Sequence, residues 1–458
     1  MAFESATELA KALRERRVSA LELTDAAITR IERLDPKIDA VVVRDFERAR
    51  DAARQADEAL SQGDARPLLG VPMTVKEAFH VAGLPATWGI PGTSKIPVAA
   101  DAVVVERLKA AGAIILGKTN VAMMLADWQC ANPVYGVTRN PWDGARTPGG
   151  SSGGGAAALA AGFSALEFGS DLAASMRAPA AFCGVLAHKP SFGIVPRRGF
   201  SPPGVPVRSV QPMFEMATLG PMARTAADLL LGLDCTAGPD APEATAWRLA
   251  LPPPRHGSLK DYRVLVVEAH PRVPTAEPVR AAITARADAL EKAGARVARE
   301  SDLLPDLGTV SDLFGQILTA GFAGDGPEGS GPSHADWIRA DRARAEIIHQ
   351  TLALFQAFDV VLSPAMPTTA PLLNPESGPP ATIEAKGASV PYQAQPLWAA
   401  FANLTGCPAT MIPVGFDKEG LPIGGQVMGP FLEDRTALSF AQAMEEAFGG
   451  FTAPPGWD

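Results

Sequence analysis

The sequence has few cysteines, and their spacing forms no pattern. Cys130, Cys183, Cys235 and Cys407 lie far apart, and none belongs to a C-x-x-C pair. A chain of 458 residues is long enough to bury a core without a disulfide framework. We therefore expect buried free thiols and a reducing compartment, the cytoplasm.

Long runs of positive charge and long apolar runs are also missing. The formal net charge is −9, and lysine and arginine form no long basic run, which argues against nucleic-acid binding. The N-terminal segment lacks the basic and apolar regions of a secretory signal, and no stretch is apolar enough to cross a membrane. We expect neither nucleic acid nor a membrane among the partners.

Segments typical of helices and of strands alternate along the chain. The apolar run at 68–76 predicts a buried strand, and a helix at 103–109 precedes a strand at 113–116. A strand at 262–268 and a helix around 279–290 continue the alternation, which is typical of βαβ units. The predicted fold class is α/β, a single large domain with a central mixed, largely parallel twisted β-sheet covered by helices on both faces.

We expect residues 1–458 to form one domain. An S-x-x-E capping box begins at Ser5 and another at Ser19, which predicts a helical arm over 1–35. The parts that follow are a core at 60–235, a Pro-, Ala- and Gly-rich connector at 236–258, and a second lobe at 259–458 that completes the sheet. In this lobe, glycines predict a loop-rich region at 300–340, and two apolar runs around Gly420 predict a hairpin.

The most distinctive stretch is 147–190, where two serine-bearing segments flank an alanine-rich segment of helical length. The first segment is GGSSGGG at 149–155, and the second is SDLAAS at 170–175. Glycine permits close backbone approach, and a turn that opens a helix leaves N–H groups unpaired. The first segment lacks both the Gly-Lys-Ser/Thr of a P-loop and the pattern of a dinucleotide fingerprint. The serines therefore indicate either anion binding or an activated nucleophile.

Together with motifs elsewhere, these segments resemble the amidase signature family. The motifs are GVPMTVKEAF at 70–79, KTN at 118–120, NPWD at 140–143, GGSSGGG, the run from Ser170 to Pro190, GPMART at 220–225 and GLPIG at 420–424. They cover nearly the whole chain in the family's order. The resemblance implies an amidase domain with the amidase signature fold, a catalytic core at 60–235 with signature region 147–190, and activity without metal or cofactor.

The resemblance also implies a Ser–cis-Ser–Lys triad. By position, Ser175 is the nucleophile, Lys76 is the general base, and Ser151 bridges them after a cis Gly150–Ser151 peptide bond. A serine hydroxyl needs a neighbouring base, and lysine can serve when burial disfavours its ammonium form. Three further residues have predicted supporting roles. Ser152 is expected to form hydrogen bonds near the loop. Asp171 and Arg177 are expected to pair with each other and shape the loop.

Backbone N–H groups beside the nucleophile form the predicted oxyanion hole. They belong to Leu172, Ala173, Ala174 and Ser175. This chain has Ala173-Ala174 where the family usually has Gly-Gly. If either position needs a positive φ, its methyl group strains the loop. If both have a negative φ, the two methyl groups only make the pocket slightly smaller.

An apolar pocket is predicted at the mouth of the site. Family members often carry an acidic residue just before the Gly-Pro motif, and Ala217 stands there in this chain. Residues that family topology brings towards the mouth are Met123, Met124, Trp128, Phe214 and Met216. Such side chains are more often plain core residues, which is the competing interpretation.

The predicted function is hydrolysis of the C–N bond of a neutral carboxylic amide through an acyl-enzyme. The expected partner is a small apolar or aryl amide, with carbamate (urethane) or ester hydrolysis as a near neighbour, and the expected state is a monomer or homodimer. Two alternatives remain open: the glutamine-hydrolysing subunit of a tRNA-dependent amidotransferase, and a non-catalytic binding protein on the same scaffold.

Overall fold

The computed structural model describes residues 2–94, 96–205, 216–323, 331–374, 380–385 and 388–457. Its helices are α1 (Ala6–Arg14), α2 (Ala20–Leu34), α3 (Phe46–Ser61), α4 (Val103–Ala110), α5 (Gly153–Ala160), α6 (Arg177–Cys183), α7 (Ala226–Thr236), α8 (Glu277–Lys292), α9 (Leu307–Ala323), α10 (His334–Ala357), α11 (Leu397–Thr405) and α12 (Asp434–Phe448). Within these ranges, no helix combines the length and apolar character that a bilayer span requires.

The strands are β1 (Val41–Arg44), β2 (Pro72–Lys76), β3 (Ile114–Thr119), β4 (Ala131–Asn132), β5 (Gly136–Val137), β6 (Leu166–Asp171), β7 (Leu186–Lys189), β8 (Thr218–Ala223), β9 (Arg263–Val266), β10 (Arg296–Ala298), β11 (Val360–Pro364), β12 (Thr382–Ala385), β13 (Ala388–Pro391), β14 (Ala409–Phe416) and β15 (Pro422–Met428). Two small antiparallel pairs, β4-β5 and β12-β13, lie outside the main sheet.

The other eleven strands form one mixed sheet in the order β1-β3-β2-β6-β8-β7-β14-β15-β11-β9-β10. Parallel pairs form two blocks, β3-β2-β6 near one edge and β11-β9-β10 at the other. The strands between the blocks pair antiparallel, including the predicted hairpin of β14 and β15. Helices pack against this sheet along its length. The predicted single α/β domain with a mixed central sheet is confirmed.

The N-terminal arm consists of the two predicted helices, each with its capping box. The Ser5 hydroxyl accepts from the Glu8 backbone N–H while the Glu8 carboxylate accepts from the Ser5 N–H, and Ser19 and Glu22 repeat the arrangement. The backbone N–H groups of Ala6 and Thr7 donate to the Asp228 carboxylate of α7 at 2.9 and 2.8 Å. This contact satisfies N–H groups that a helix start leaves unpaired and holds the arm against the domain.

The prediction of a loop-rich region at 300–340 was wrong for the described residues. Most of them lie in α9 and at the start of α10. Val310, Leu313, Phe314 and Ile317 are all buried and follow helical spacing, so they form an apolar stripe that packs on the core. The Ser333 hydroxyl caps α10 by accepting from the Asp336 N–H. The loop prediction was based on the glycines of this region and did not take the apolar stripe into account. The glycines at 324, 326 and 329 lie outside the described residues.

The four cysteines are free thiols. Cys130, Cys183 and Cys407 are buried, and Cys235 is partly exposed. The predicted thiol state is therefore confirmed, and burial is confirmed for three of the four.

Candidate active site

Lys76 ends a buried strand and faces three serine hydroxyls. All five residues of β2 are buried, because the strand lies between β3 and β6. The Lys76 Nζ donates to Ser151 Oγ at 2.7 Å, to Ser170 Oγ at 2.9 Å and to Ser152 Oγ at 3.0 Å. Three hydroxyls match the three donors of an ammonium group, and a hydroxyl can also donate to an amine. Two predicted triad members, Lys76 and Ser151, are therefore in direct contact.

The surroundings of Lys76 disfavour its ammonium form. The residue is 0 % exposed, and this burial lowers the lysine pKa from 10.5 to about 7. Smaller opposing influences come from Cys130, Asp171 and Glu167, each of which raises the pKa when charged. At neutral pH, Lys76 is therefore an amine in a large share of the molecules, and an amine can accept a proton.

The serine turn depends on glycine and is tied to the second serine segment. The Gly150–Ser151 peptide bond is cis, as the resemblance implies. A Cβ at Gly150 would lie 2.2 Å from the Asp127 carbonyl oxygen, so only glycine allows the two loops to pack this closely. The Ser152 N–H donates to the Ser175 carbonyl oxygen at 3.0 Å. The fold thus brings Ser175, which is 8 % exposed, alongside the turn.

Asp171 and Arg177 form a buried ion pair that braces the loop between β6 and α6. Arg177 donates through Nη2 to Oδ1 at 2.8 Å and through Nε to Oδ2 at 3.0 Å, and both side chains are 0 % exposed. The Asp171 carboxylate also accepts from the Met176 N–H at 3.2 Å. Burial raises the pKa of Asp171, but the charge and hydrogen bonds of Arg177 outweigh burial and hold it at about 2. The predicted pairing of these residues is confirmed.

Ala174 has a backbone conformation that favours glycine. Its φ is +68°, whereas Ala173 is not among the residues with positive φ. The first of the two alternatives therefore holds at Ala174, at a cost of about 1–2 kcal/mol.

The Ala174 N–H also donates to Asp171 Oδ1 at 3.1 Å. Including Ala174 in the oxyanion hole was therefore wrong, because its donor is already engaged by a charged acceptor. Within the described ranges, the backbone N–H groups of Leu172, Ala173 and Ser175 have no such partner.

The predicted pocket residues fall into different surroundings. Met123 and Met124 are 47 % and 56 % exposed, and the Met124 N–H donates to the Trp88 carbonyl oxygen at 2.7 Å. The Trp128 indole N–H donates at 3.2 Å to the carbonyl oxygen of Ala173, in the loop between β6 and α6. Met216 is 1 % exposed and belongs to the apolar core. Phe214 lies outside the described residues.

Two residues near the serines were missed in the sequence. Ser170 provides the third hydroxyl on Lys76, and only the pairing of β6 with β2 reveals it. Tyr392 packs edge-on against Trp128 with ring centroids 5.6 Å apart, and its hydroxyl donates to Asp127. No local pattern connects Tyr392 with these residues. Across the described part of the chain, no group of three or more His, Cys, Asp or Glu side chains could hold a metal ion.

Comparisons with known proteins agree over nearly the full length. A family model described as Amidase matches residues 22–324 and 309–438. The putative amidase AmiB2 of Mycobacterium bovis is 34 % identical, covering 98 % of this chain and 96 % of the relative. A glutamyl-tRNA(Gln) amidotransferase subunit of Roseiflexus castenholzii is 32 % identical over 96 % of this chain and 94 % of its own.

A solved structure shows the same fold. It comes from a vestigial protein complex that reveals the evolutionary origins of an s-triazine catabolic enzyme, and it superposes with a TM-score of 0.83 at 30 % identity. The match covers 98 % of this chain and 100 % of that one. This chain belongs to the amidase signature family of hydrolases.

Proposed function

We propose that this protein hydrolyses a neutral carboxylic amide, with Ser175 as nucleophile, Ser151 as bridging serine and Lys76 as general base. The observation that carries the proposal is the buried Lys76 amine, held 2.7 Å from Ser151 Oγ with its pKa lowered by burial to about 7. A structural lysine is usually exposed or ion-paired. This lysine is buried among neutral hydroxyls, where its basicity is available for catalysis.

In the proposed acylation step, the Ser175 hydroxyl attacks the amide carbonyl carbon and passes its proton through Ser151 to Lys76. The carbonyl oxygen becomes an oxyanion, which the N–H groups of Leu172, Ala173 and Ser175 stabilise. Collapse of this intermediate breaks the C–N bond, and the leaving amine takes the proton back from Lys76 through Ser151. Water then attacks the acyl-enzyme by the same relay and releases the carboxylic acid.

Ser152, Asp171 and Arg177 support this arrangement without taking part in the bond changes. Ser152 accepts a hydrogen bond from Lys76 at 3.0 Å, which orients the amine. The buried pair of Asp171 and Arg177 fixes the loop from which the oxyanion donors project. These roles follow from contacts with the reacting residues rather than from contact with substrate.

The proposed substrates are small apolar or aryl amides, with carbamates and esters as near neighbours because they present the same carbonyl geometry. The exposed side chains of Met123 and Met124 and the paired rings of Trp128 and Tyr392 support this class. Aromatic and thioether groups bind apolar surfaces of varied shape. The Ala173 side chain packs against the apolar cluster that contains Met216, so it offers no polar group that could bind a polar substrate.

A second candidate function is glutamine hydrolysis within a tRNA-dependent amidotransferase. The similarity to the Roseiflexus castenholzii protein favours it. In that case, glutaminase activity should depend on other chains of the complex. For the first candidate, the protein is active alone as a monomer or homodimer, with the cytoplasm as its proposed location.

The test is a hydrolysis screen of the purified protein over anilides, aliphatic amides, aryl carbamates, esters and glutamine, with Ser175→Ala as the blank. We expect cleavage of an anilide or aryl carbamate that falls by at least about 10³-fold in Ser175→Ala and in Lys76→Ala. Cleavage of glutamine in preference to anilides, appearing or rising when the other chains of a complex are added, would support the second candidate. No labelling of Ser175 by a serine-directed phosphonate would favour a binding protein instead and would refute both candidates.

A further inference from the structure

Glu167 is a second ionisable residue buried beside Lys76. It lies on β6 opposite Thr74 of β2, and Thr74 precedes Lys76 by two residues. Residues two apart on a strand face the same side of a sheet, so Thr74 and Lys76 share one face. Thr119 of β3 lies opposite Lys76 in the register. The strand pairing therefore places Glu167 among the residues that surround the lysine.

The Glu167 side chain is enclosed and fully desolvated. Its exposure is 0 %. Thr119 Oγ1 donates to Oε1 at 2.9 Å, and the Thr74 hydroxyl donates to the other carboxyl oxygen. A Cβ at Gly155 would lie 2.6 Å from Glu167 Cγ, so the absent side chain leaves the room that the glutamate fills. Helix α5, which covers it, contains only glycine, alanine and leucine and brings no charge.

Three ionisable groups act on Lys76, and they differ in whether their charge changes near neutral pH. Burial raises the pKa of Cys130 to about 11, so this thiol stays neutral. Arg177 overcomes the effect of burial on Asp171 and holds its pKa at about 2, so this carboxylate stays charged. Burial raises the pKa of Glu167 to about 8, against the influence of its threonine donors and of Lys76. Glu167 therefore gains or loses its charge in the same range as Lys76.

We propose that Glu167 is a positioning residue whose charge is coupled to the protonation of Lys76 and thereby sets the fraction of the enzyme in which Lys76 is an amine. This inference rests on the proposed role of Lys76 as the base. The two side chains have separate hydrogen-bond partners, so they influence each other through charge. An ionised Glu167 favours the Lys76 ammonium, both in the resting enzyme and when Lys76 has received the proton from Ser151.

Glu167→Gln tests this idea, because the amide has the same shape but stays neutral. The acidic limb of the kcat/KM profile should move to lower pH by at most about one unit, since Lys76 loses a neighbour that raises its pKa when ionised and that is only partly ionised in this range. The plateau should fall by about 3–10-fold, because the ammonium formed during acylation loses a counter-charge. A merely structural role would change the plateau or the stability without moving the limb.

Two further variants keep the test decisive. Thr119→Val removes a donor that favours the ionised carboxylate, so it should move the limb in the same direction by a smaller amount, and it replaces Glu167→Gln if that variant does not fold. Cys130→Ala removes a neutral neighbour of Lys76 and should leave the limb where it is. An unchanged limb in both Glu167→Gln and Thr119→Val would overturn the inference, as would an equal shift in Cys130→Ala.

The outcome separates this inference from the proposed function. If Lys76→Ala is inactive while Glu167→Gln has the limb of the parent enzyme, only the inference fails. If Lys76→Ala keeps full activity, the role of Lys76 as base fails first, whatever the behaviour of Glu167→Gln.

Discussion

Replacing Asp171 by asparagine removes the charge that compensates a fully buried arginine. Arg177 would keep its contacts with Gln426, at 2.9 Å, and with Asn403, but neither partner is charged. Removing one partner of a buried ion pair costs about 3–5 kcal/mol. Of this cost, about 2–3 kcal/mol depends on the charge of Asp171 alone, because its pKa is about 2 instead of 3.8. We expect Asp171→Asn to lower the free energy of unfolding by about 3–5 kcal/mol.

Urea unfolding at pH 7, followed by tryptophan fluorescence, measures this change. The matched control is Asp143→Asn, because Asp143 pairs with Arg146 at 3.0 Å in a partly exposed ion pair that contributes at most about 1 kcal/mol. The double variant Asp171→Asn/Arg177→Met should recover part of the loss, since it removes the uncompensated charge. A loss below about 1 kcal/mol in Asp171→Asn, or no recovery in the double variant, would refute the reasoning.

The pH dependence of stability provides a second test of the same pair. The pKa of Asp171 is lower in the folded protein than in the unfolded chain, so its contribution is complete above about pH 4 and disappears as the pH falls towards 2. The unfolding free energy of Asp171→Asn should therefore approach that of the parent protein at the acidic end. Parallel curves for the two proteins between pH 5 and pH 2 would contradict this assignment.

Three further substitutions test the strained position, its neighbour and the buried lysine. Ala174→Gly should change the unfolding free energy by less than about 1 kcal/mol, because relief of the positive φ offsets the lost methyl group and the added entropy of the unfolded chain. Ala173→Gly has no such relief and should lower the unfolding free energy by about 1 kcal/mol. Equal losses in the two variants, measured by calorimetry, would argue against strain at Ala174. Lys76→Met should stabilise the protein by about 2–4 kcal/mol at pH 6, where the parent must bury an ammonium, and the gain should shrink as the pH rises from about 7 towards 10.5. A gain in Lys76→Met that does not depend on pH would be inconsistent with a lowered lysine pKa.

The sequence contained the parts of the site but not their mutual positions. Lys76, Ser151 and the pairing of Asp171 with Arg177 follow from motifs, because their residue types and spacings are local. Ala174 has a positive φ, and its N–H donates to Asp171. Both features depend on how the loop closes, and the presence of an alanine in the sequence does not predict them.

Long-range pairing explains the other surprises. Ser170 and Glu167 face Lys76 only because β6 pairs with β2, and strand register across such separations is set by the assembled sheet. The stripe from Val310 to Ile317 is a local signal with ordinary helical spacing, but the glycines near it are typical of loops. The two local signals compete in this segment, and burial of the apolar stripe against the core decides in favour of the helix.

The ion pair that braces the loop between β6 and α6 has a consequence for biosynthesis. Arg177 donates to Gln426 on β15 and to Asn403 in α11, so the loop is fixed by residues made more than two hundred positions later. A ribosome-bound chain that ends before Asn403 contains every proposed reacting residue but leaves Arg177 without either of these acceptors. Catalytic competence should therefore arise only when synthesis is nearly complete. Stalled chains of increasing length, probed with a serine-directed phosphonate, would reveal the point at which Ser175 becomes reactive.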